Sequence, residues 1–277
     1  MPSCSSTPRG LPLRALRFGA ILAALFVASV AQAGLVTSTV DMVGVDLPPN
    51  ARVPTSLAMV DETGASRTLA QAIDGRPAVL ILADYTCRAL CRPVLALVAG
   101  SLVRSDLRPG TDYQLVVIGL DVKDGPAEAH AMKAAQIGED APFANAARFL
   151  IAREAALERI SVALGYRSAY DPENDQFAHP AAVFVLAPDG RVARALNGLD
   201  LGPSDLRLAL VEAGNGTIGS VADRVRLLCY GFDPATGIYS ISIYRLLSLG
   251  WLAAVLGLGS GIALMLFKEH RSKHSKA

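Results

Sequence analysis

The chain has 277 residues, a formal net charge of +1 and a mean hydropathy of +0.37. The near-neutral charge and the lack of a basic stripe in the sequence argue against a nucleic-acid partner. Two long apolar segments near the ends account for much of the hydropathy, and the part between them is long enough for one globular domain with a sizeable core.

The N-terminus has the pattern of a secretory signal. Three arginines precede the apolar run FGAILAALFVASV, and Ala31 and Ala33 fit an A-x-A cleavage pattern. We therefore predict that residues 1–33 are a signal peptide and that the mature chain begins at Gly34. The alternative is an uncleaved anchor, but the apolar run is shorter than the roughly 20 residues that a spanning helix needs.

Residues 34–222 are predicted to form the exported domain, which opens with a proline-rich, extended lead-in at 46–54. The pattern then alternates between strands and helices, which predicts an α/β fold with a mixed sheet covered by helices. The predicted elements are an apolar strand at 78–83, a helix beginning at the cysteines, a strand at 113–122, helices at 125–138 and 153–166, a hairpin at 181–196 around the turn PDG, and a helix at 202–214 capped by Ser204.

The C-terminal region carries a second membrane signal. Residues 223–245 are predicted to be a juxtamembrane segment, and residues 246–267 contain no charged side chain and are long enough to cross a bilayer as one helix. The tail 268–277 contains four basic residues, so the positive-inside rule places it in the cytoplasm. The domain then lies on the extracytoplasmic side, in agreement with the signal peptide.

Cysteine usage is sparse, and two of the four cysteines stand together in the stretch ADYTCRALCRP. Cys87 and Cys91 are predicted on the turn after a strand and on the first turn of a helix, with both sulfurs on one helical face. A permanent disulfide between them would close a very short loop and stabilise little. A redox couple is the second interpretation, because a helix start favours the reactive thiolate, although redox motifs of the thioredoxin type place the cysteines three apart.

A soft metal is the third interpretation, because two thiolates suit Cu(I), zinc or iron–sulfur chemistry. It requires a further ligand from elsewhere in the exported domain. His179 precedes a buried strand at a loop edge, whereas His130 lies in a polar helical segment and is expected to be solvated. Cys229, in the juxtamembrane segment, is either a further ligand, a docking thiol or a small apolar residue. Cys4 is removed with the signal peptide.

Three motifs resemble the Sco/SenC family, thioredoxin-like proteins that bind copper and assist assembly of the binuclear copper centre of cytochrome c oxidase. The motifs are YTCRALCRPVL, VIGLDV and the histidine before VFVLAPDGRV, and the resemblance covers roughly residues 40–214. It implies a thioredoxin-like fold, with Cys87 and Cys91 as thiolate ligands of copper and His179 as the imidazole ligand. Asp121 occupies the position of a strand-end aspartate in the family.

The sequence departs from the family pattern at several positions. Arg92 separates the second cysteine from Pro93, Ala178 stands where the family has an aspartate before the histidine, and DVKDGP replaces the family's D-x-R-D-T stretch. Family members usually carry an N-terminal anchor, so the C-terminal span indicates a divergent branch.

The resemblance implies a membrane-tethered copper metallochaperone, with a cytochrome c oxidase subunit or another copper protein as its partner, and no small-molecule substrate. The alternative from another class is a thiol–disulfide oxidoreductase that uses Cys87 and Cys91 without metal. A structural assembly factor with vestigial cysteines is a third interpretation.

Overall fold

A computed structural model describes residues 42–87, 91–138 and 141–215, together with short stretches at 219–220, 222–223, 227, 230–233, 238–241 and 251–261. Within these ranges it leaves out the side chains of Cys91, Ala141 and residues 230–241. The predicted signal peptide 1–33, with Cys4, therefore lies outside the described residues. So do Cys229 and the tail 268–277.

The described chain alternates strands and helices between Gly44 and Ala213, with a hairpin after them. The strands are β1 Gly44–Val45, β2 Ala58–Asp61, β3 Ser66–Thr68, β4 Ala78–Ala83, β5 Gln114–Gly119, β6 Ala147–Ile151, β7 Tyr166–Arg167, β8 Ala169–Asp171, β9 Gln176–Ala178, β10 Ala182–Leu186, β11 Val192–Asn197, β12 Tyr230–Asp233 and β13 Ile238–Ile241. The helices are α1 Leu69–Ile73, α2 Cys91–Val103, α3 Pro126–Gln136, α4 Ala141–Asn145, α5 Glu154–Leu164 and α6 Pro203–Ala213.

Seven strands form one mixed sheet in the order β11-β10-β4-β5-β6-β2-β3. Strands β4, β5 and β6 are parallel, and all other pairs in the sheet are antiparallel. Three two-stranded pairs complete the described strands, namely β1 with β7, β8 with β9 and β12 with β13.

The centre of the sheet is buried on both faces, which explains why β4 and β5 are continuous apolar runs. Alternate residues of β4 point to opposite faces. Val79 and Ile81 join the core under α2, α3 and α6, whereas Leu80 and Leu82 join the core under α1 and α5. The predicted mixed sheet covered by helices is confirmed.

One edge of the sheet collects the functional segments. The parallel strands β4, β5 and β6 all end there, because their register aligns Ala83 with Gly119 and Ile118 with Leu150. Strand β10 runs antiparallel to β4, with Val183 opposite Ile81, so the residues just before β10 lie at the same edge. The segments around Cys87, Asp121 and His179 are therefore neighbours.

Cys87 lies on the turn after β4 and Cys91 is the first residue of α2, as the sequence predicted. Other sequence predictions need correction. The cap of α6 is Gly202 and not Ser204: its amide donates to the Asp205 carboxylate at 3.0 Å. Strand β6 and the hairpins β2–β3 and β8–β9 were not predicted, because their short, partly polar segments carry little periodicity.

The predicted membrane span at 246–267 is described only over 251–261, where the chain is helical and exposed. Across the described stretches of the chain, none of the helices combines the length and the apolar character required to cross a membrane.

Candidate functional site

The turn that carries Cys87 is held by a buried carboxylate. Strand β4 ends at Ala83, and the next residue, Asp84, is completely buried. Its Oδ1 accepts hydrogen bonds from the backbone amides of Thr86 and Cys87 and from the Thr86 hydroxyl, each at 3.0 Å. The Cys87 amide is therefore already bonded to a carboxylate.

The second oxygen of the same carboxylate reaches another part of the chain. Asp84 Oδ2 accepts the backbone amide of Phe177, in β9, at 3.0 Å. The neighbouring side chain of Gln176 lies on the Cys87 thiol, with Oε1 at 4.0 Å from Sγ. The β8–β9 hairpin thus lies directly over the turn, and Cys87 is only 5% exposed.

Two more buried carboxylates lie beside the turn. Asp124 Oδ2 accepts the backbone amide of Tyr85 at 3.2 Å, and Asp121 Oδ1 accepts the amide of Lys123 at 2.8 Å. Burial, together with the negative charges of Asp84 and Asp121, raises the pKa of Asp124 to about 6. The edge of the sheet under the thiol is accordingly acidic.

The ring of Tyr85 supports the turn from below. Its hydroxyl lies 2.8 Å from the carbonyl of Leu150 and 3.0 Å from that of Val117, and the ring packs against Phe149. Burial raises the pKa of this phenol well above its usual value. Gly119 lies beneath the ring, where a Cβ would make a tight contact of 3.0 Å with Tyr85 Cε2. A glycine at the end of β5 therefore leaves space for the tyrosine.

The imidazole of His179 is oriented by two oxygen atoms. Its Nδ1 lies 3.1 Å from the Tyr166 hydroxyl and 3.2 Å from the Pro180 carbonyl. The carbonyl can only accept, so the contact is satisfied when Nδ1 carries the proton. His179 also lines a small cavity that it shares with the end of β4 and with Val94 of α2.

The structure brings two of the three predicted ligands to the same edge of the sheet. Cys87 follows β4, His179 precedes β10, and the hairpin residue Gln176 lies between them in the chain and contacts the thiol. Cys91 is the first residue of α2, one turn before Val94, as the sequence predicted for its backbone. Within the described residues, no group of three or more histidine, cysteine, aspartate or glutamate side chains could hold a metal ion.

The remaining predicted residues lie as follows. His130 is exposed on α3, as expected of a solvated side chain. Asp121 is buried immediately after β5, 5% exposed. Its Oδ2 lies 3.3 Å from Lys123 Nζ.

Sequence reasoning missed Asp84, Asp124, Tyr166 and Gln176. Asp84 carried a signal that could have been used, because an aspartate two residues before a threonine forms turns in which its carboxylate accepts nearby amides. The contacts of Tyr166 and Gln176 depend on how the hairpin and β7 pack against the sheet. No local pattern reports that packing.

Solved structures with a similar fold are known, although no protein-family model and no curated protein matches the chain. A candidate electron transfer protein from Aquifex aeolicus VF5 is 22% identical with a TM-score of 0.54, over 62% of this chain and 96% of that one. BsSco, a member of the Sco family of cytochrome c oxidase assembly proteins with a disulfide switch, is 19% identical with a TM-score of 0.50, over 61% and 96%. ScoI from Arabidopsis thaliana, solved with copper bound, is 13% identical with a TM-score of 0.48, over 58% and 97%.

The chain therefore shares a thioredoxin-like fold with a Sco-family protein, which confirms the fold that the resemblance of its motifs implied.

Proposed function

We propose that the protein is a copper metallochaperone that binds Cu(I) through Cys87, Cys91 and His179 and assists assembly of the copper centre of cytochrome c oxidase. The observation that carries the proposal is the meeting of three segments at one sheet edge. The turn with Cys87, the start of α2 with Cys91 and the loop with His179 all lie there, although His179 is distant from both cysteines in the sequence.

The chemistry of the donor set fits Cu(I). Thiolates and imidazole are soft to intermediate ligands, and Cu(I) prefers them over carboxylates. Cys87 is buried beside apolar residues, which limits access of water to a bound ion. A proton on Nδ1 of His179 leaves Nε2 as the ligand atom, and the contact with Tyr166 would orient the ring as second partners of metal-binding histidines commonly do.

We further propose that the domain is tethered by residues 246–267 on the extracytoplasmic side, with the tail 268–277 in the cytoplasm. The signal pattern of residues 1–33 and the four basic residues of the tail support the same orientation independently. An oxidising compartment would also give the thiol pair a redox role that the cytoplasm would suppress.

Copper titration of the purified, reduced full-length chain tests the ligand set. We expect one Cu(I) per chain, a binding loss of at least a hundredfold in Cys87→Ser or Cys91→Ser, and a weaker but clear loss in His179→Ala. The matched control is His130→Ala, which removes an exposed imidazole from α3 and should bind like wild type. If His130→Ala weakened Cu(I) binding and His179→Ala did not, His179 would not be a copper ligand.

A thiol–disulfide oxidoreductase is the second candidate function. It is favoured by the position of the cysteines, because Cys87 lies within the β4–α2 connection and Cys91 is the first residue of the helix. Disulfide exchange requires the two sulfurs and no imidazole ligand. Activity of His179→Ala in an oxidase-assembly assay separates the two functions: copper delivery predicts an inactive variant whose dithiol still oxidises, and an active one supports exchange.

A further inference from the structure

The position of the β8–β9 hairpin depends on side chains. In the described chain its two strands pair with each other and with no strand of the main sheet. The hairpin nevertheless carries Gln176 onto the Cys87 thiol and leads directly into His179. The contacts that hold the hairpin on the turn therefore contribute to where His179 lies relative to Cys87.

Besides the Gln176–Cys87 contact, the described residues attach the hairpin to the sheet edge through one buried carboxylate, Asp84, and through one exposed ammonium group, Lys123. The buried contact is Asp84 Oδ2 with the Phe177 amide at 3.0 Å. The exposed contact is Lys123 Nζ with Asp175 Oδ1 at 2.5 Å, supplemented by the Tyr170 hydroxyl on the same oxygen. Exposed ion pairs contribute little because water and salt compete for both charges. A charged acceptor without access to water binds its donors much more strongly.

We propose that Asp84 is a positioning residue that joins the Cys87 turn and the β8–β9 hairpin into one unit and thereby presets the geometry between Cys87 and His179. The two carboxylate oxygens of Asp84 bind different segments. Oδ1 holds the amides of Thr86 and Cys87, and Oδ2 holds the hairpin. If the hairpin moved away from the turn, Asp84 Oδ2, which is fully buried, would lose the amide that donates to it. The loss of a hydrogen bond to a buried charged oxygen costs free energy, so this displaced position of the hairpin is disfavoured. The role in copper binding rests on the proposed function.

Asp84→Asn separates the two halves of this contact. An amide side chain has one accepting oxygen and one donating nitrogen. With its oxygen on the Thr86 and Cys87 amides, the nitrogen faces the Phe177 N–H, donor against donor. The substitution should therefore release the hairpin while leaving the turn largely in place. The matched control is Asp175→Asn, the same chemical change on the exposed contact of the same hairpin.

Amide hydrogen exchange of the metal-free, full-length chain is the deciding measurement. In Asp84→Asn we expect the Phe177 amide to exchange at least tenfold faster than in wild type, with a smaller change at Cys87, and in Asp175→Asn a change below threefold. In wild type the Phe177 amide should be at least a hundredfold better protected than that of Asn174, which is exposed and donates to Asp171 in an exposed hydrogen bond. This second comparison decides the question even if Asp84→Asn does not fold.

Copper affinity then tests the consequence for the ligands. We expect Asp84→Asn to bind one Cu(I) at least tenfold more weakly than wild type, and Asp175→Asn to bind within threefold of it. Unchanged exchange at Phe177 in Asp84→Asn, or poor protection of Phe177 in wild type, would overturn the positioning role. A wild-type chain that binds no Cu(I) would instead refute the proposed function, and the exchange data would still decide the role of Asp84 in the hairpin.

Discussion

Tyr166 contacts the proposed ligand His179 and also packs in the core. Its hydroxyl contacts His179 Nδ1 at 3.1 Å, and its ring packs edge-on against Phe184 in the core. The hydroxyl thus orients the imidazole, while the ring is part of the packing. These two roles can be separated by removing one oxygen atom.

We expect Tyr166→Phe to weaken Cu(I) binding by about tenfold, because partners of a metal-bound histidine commonly contribute that much to affinity. The free energy of unfolding should change by no more than about 1 kcal/mol, since the aromatic ring is kept. Tyr170→Phe, which removes a hydroxyl from the exposed face of the hairpin, is the control and should bind like wild type. Copper titration and urea denaturation provide the two readouts.

Asp124 is the described carboxyl at the site edge whose pKa lies near neutrality, at about 6 against an ordinary value of 3.8. Between about pH 4 and pH 6, the folded state therefore keeps a proton on Asp124 that the unfolded state has already released. The contribution of Asp124 to the free energy of unfolding is therefore fully present below about pH 4, and it is lost as the pH rises from about 4 through 6.

Asp124→Asn should remove this dependence, because the amide oxygen still accepts the Tyr85 amide but carries no charge. We expect the variant to gain about 3 kcal/mol in free energy of unfolding over wild type at pH 7 and less than about 1 kcal/mol at pH 4. Asp171→Asn is the control, since Asp171 is partly exposed and its pKa is lowered by the hydrogen bond from Asn174, so its titration falls below this pH range. A parallel pH dependence of wild type and Asp124→Asn would contradict the assignment.

The short pair of β1 and β7 is the element that carries Tyr166 to the site. Val45 pairs with Tyr166, and the amide of Asp46 donates to the carbonyl of Gly165 at 2.9 Å. Gly165 ends α5 with a φ of 58°, and a Cβ at this position would lie 1.8 Å from the Asp46 carbonyl oxygen. Only glycine therefore allows the end of α5 to lie this close to the backbone of the lead-in segment that pairs beside Tyr166.

Gly165→Ala should therefore destabilise the protein by at least about 3 kcal/mol, since backbone strain and a backbone clash add. Gly64→Ala is the matched control: its φ is 86°, but a Cβ there meets no atom within 4 Å, so about 1 kcal/mol is expected. Urea denaturation of the two variants measures the difference. Equal losses in the free energy of unfolding would show that the lead-in segment moves to make room for the new methyl group.

At the scale of the whole molecule, the proposed topology separates the proposed copper site from the cytoplasm. We expect a periplasmic reporter enzyme to be active when fused after Gly216 and inactive when fused after Ala277, because the intervening apolar segment would cross the membrane. The same two fusions to a reporter that works only in the cytoplasm should give the reverse pattern. Activity of the periplasmic reporter at both positions would contradict the C-terminal anchor, and with it the tether.

Local sequence patterns were sufficient to predict the central strands, the helices that follow them and the position of Cys91 at a helix start. Continuous apolar runs such as 78–83 and proline or glycine at helix boundaries act over a few residues, so they can be recognised without knowledge of the fold. The sequence could also propose His179 over His130, because one precedes a buried strand and the other lies on a polar helix.

The tertiary structure alone decided what surrounds the thiol. Strand β10 inserts next to β4 and brings His179 to the edge where Cys87 lies. The carboxylate of Asp84 accepts a backbone amide of the hairpin between them, far away in the chain. Such contacts depend on the order of the strands in the sheet. That order is set by the requirement that both faces of the sheet are buried at once. A buried aspartate after an apolar strand has a local explanation as a turn residue, but its second partner is visible only when the chain is folded.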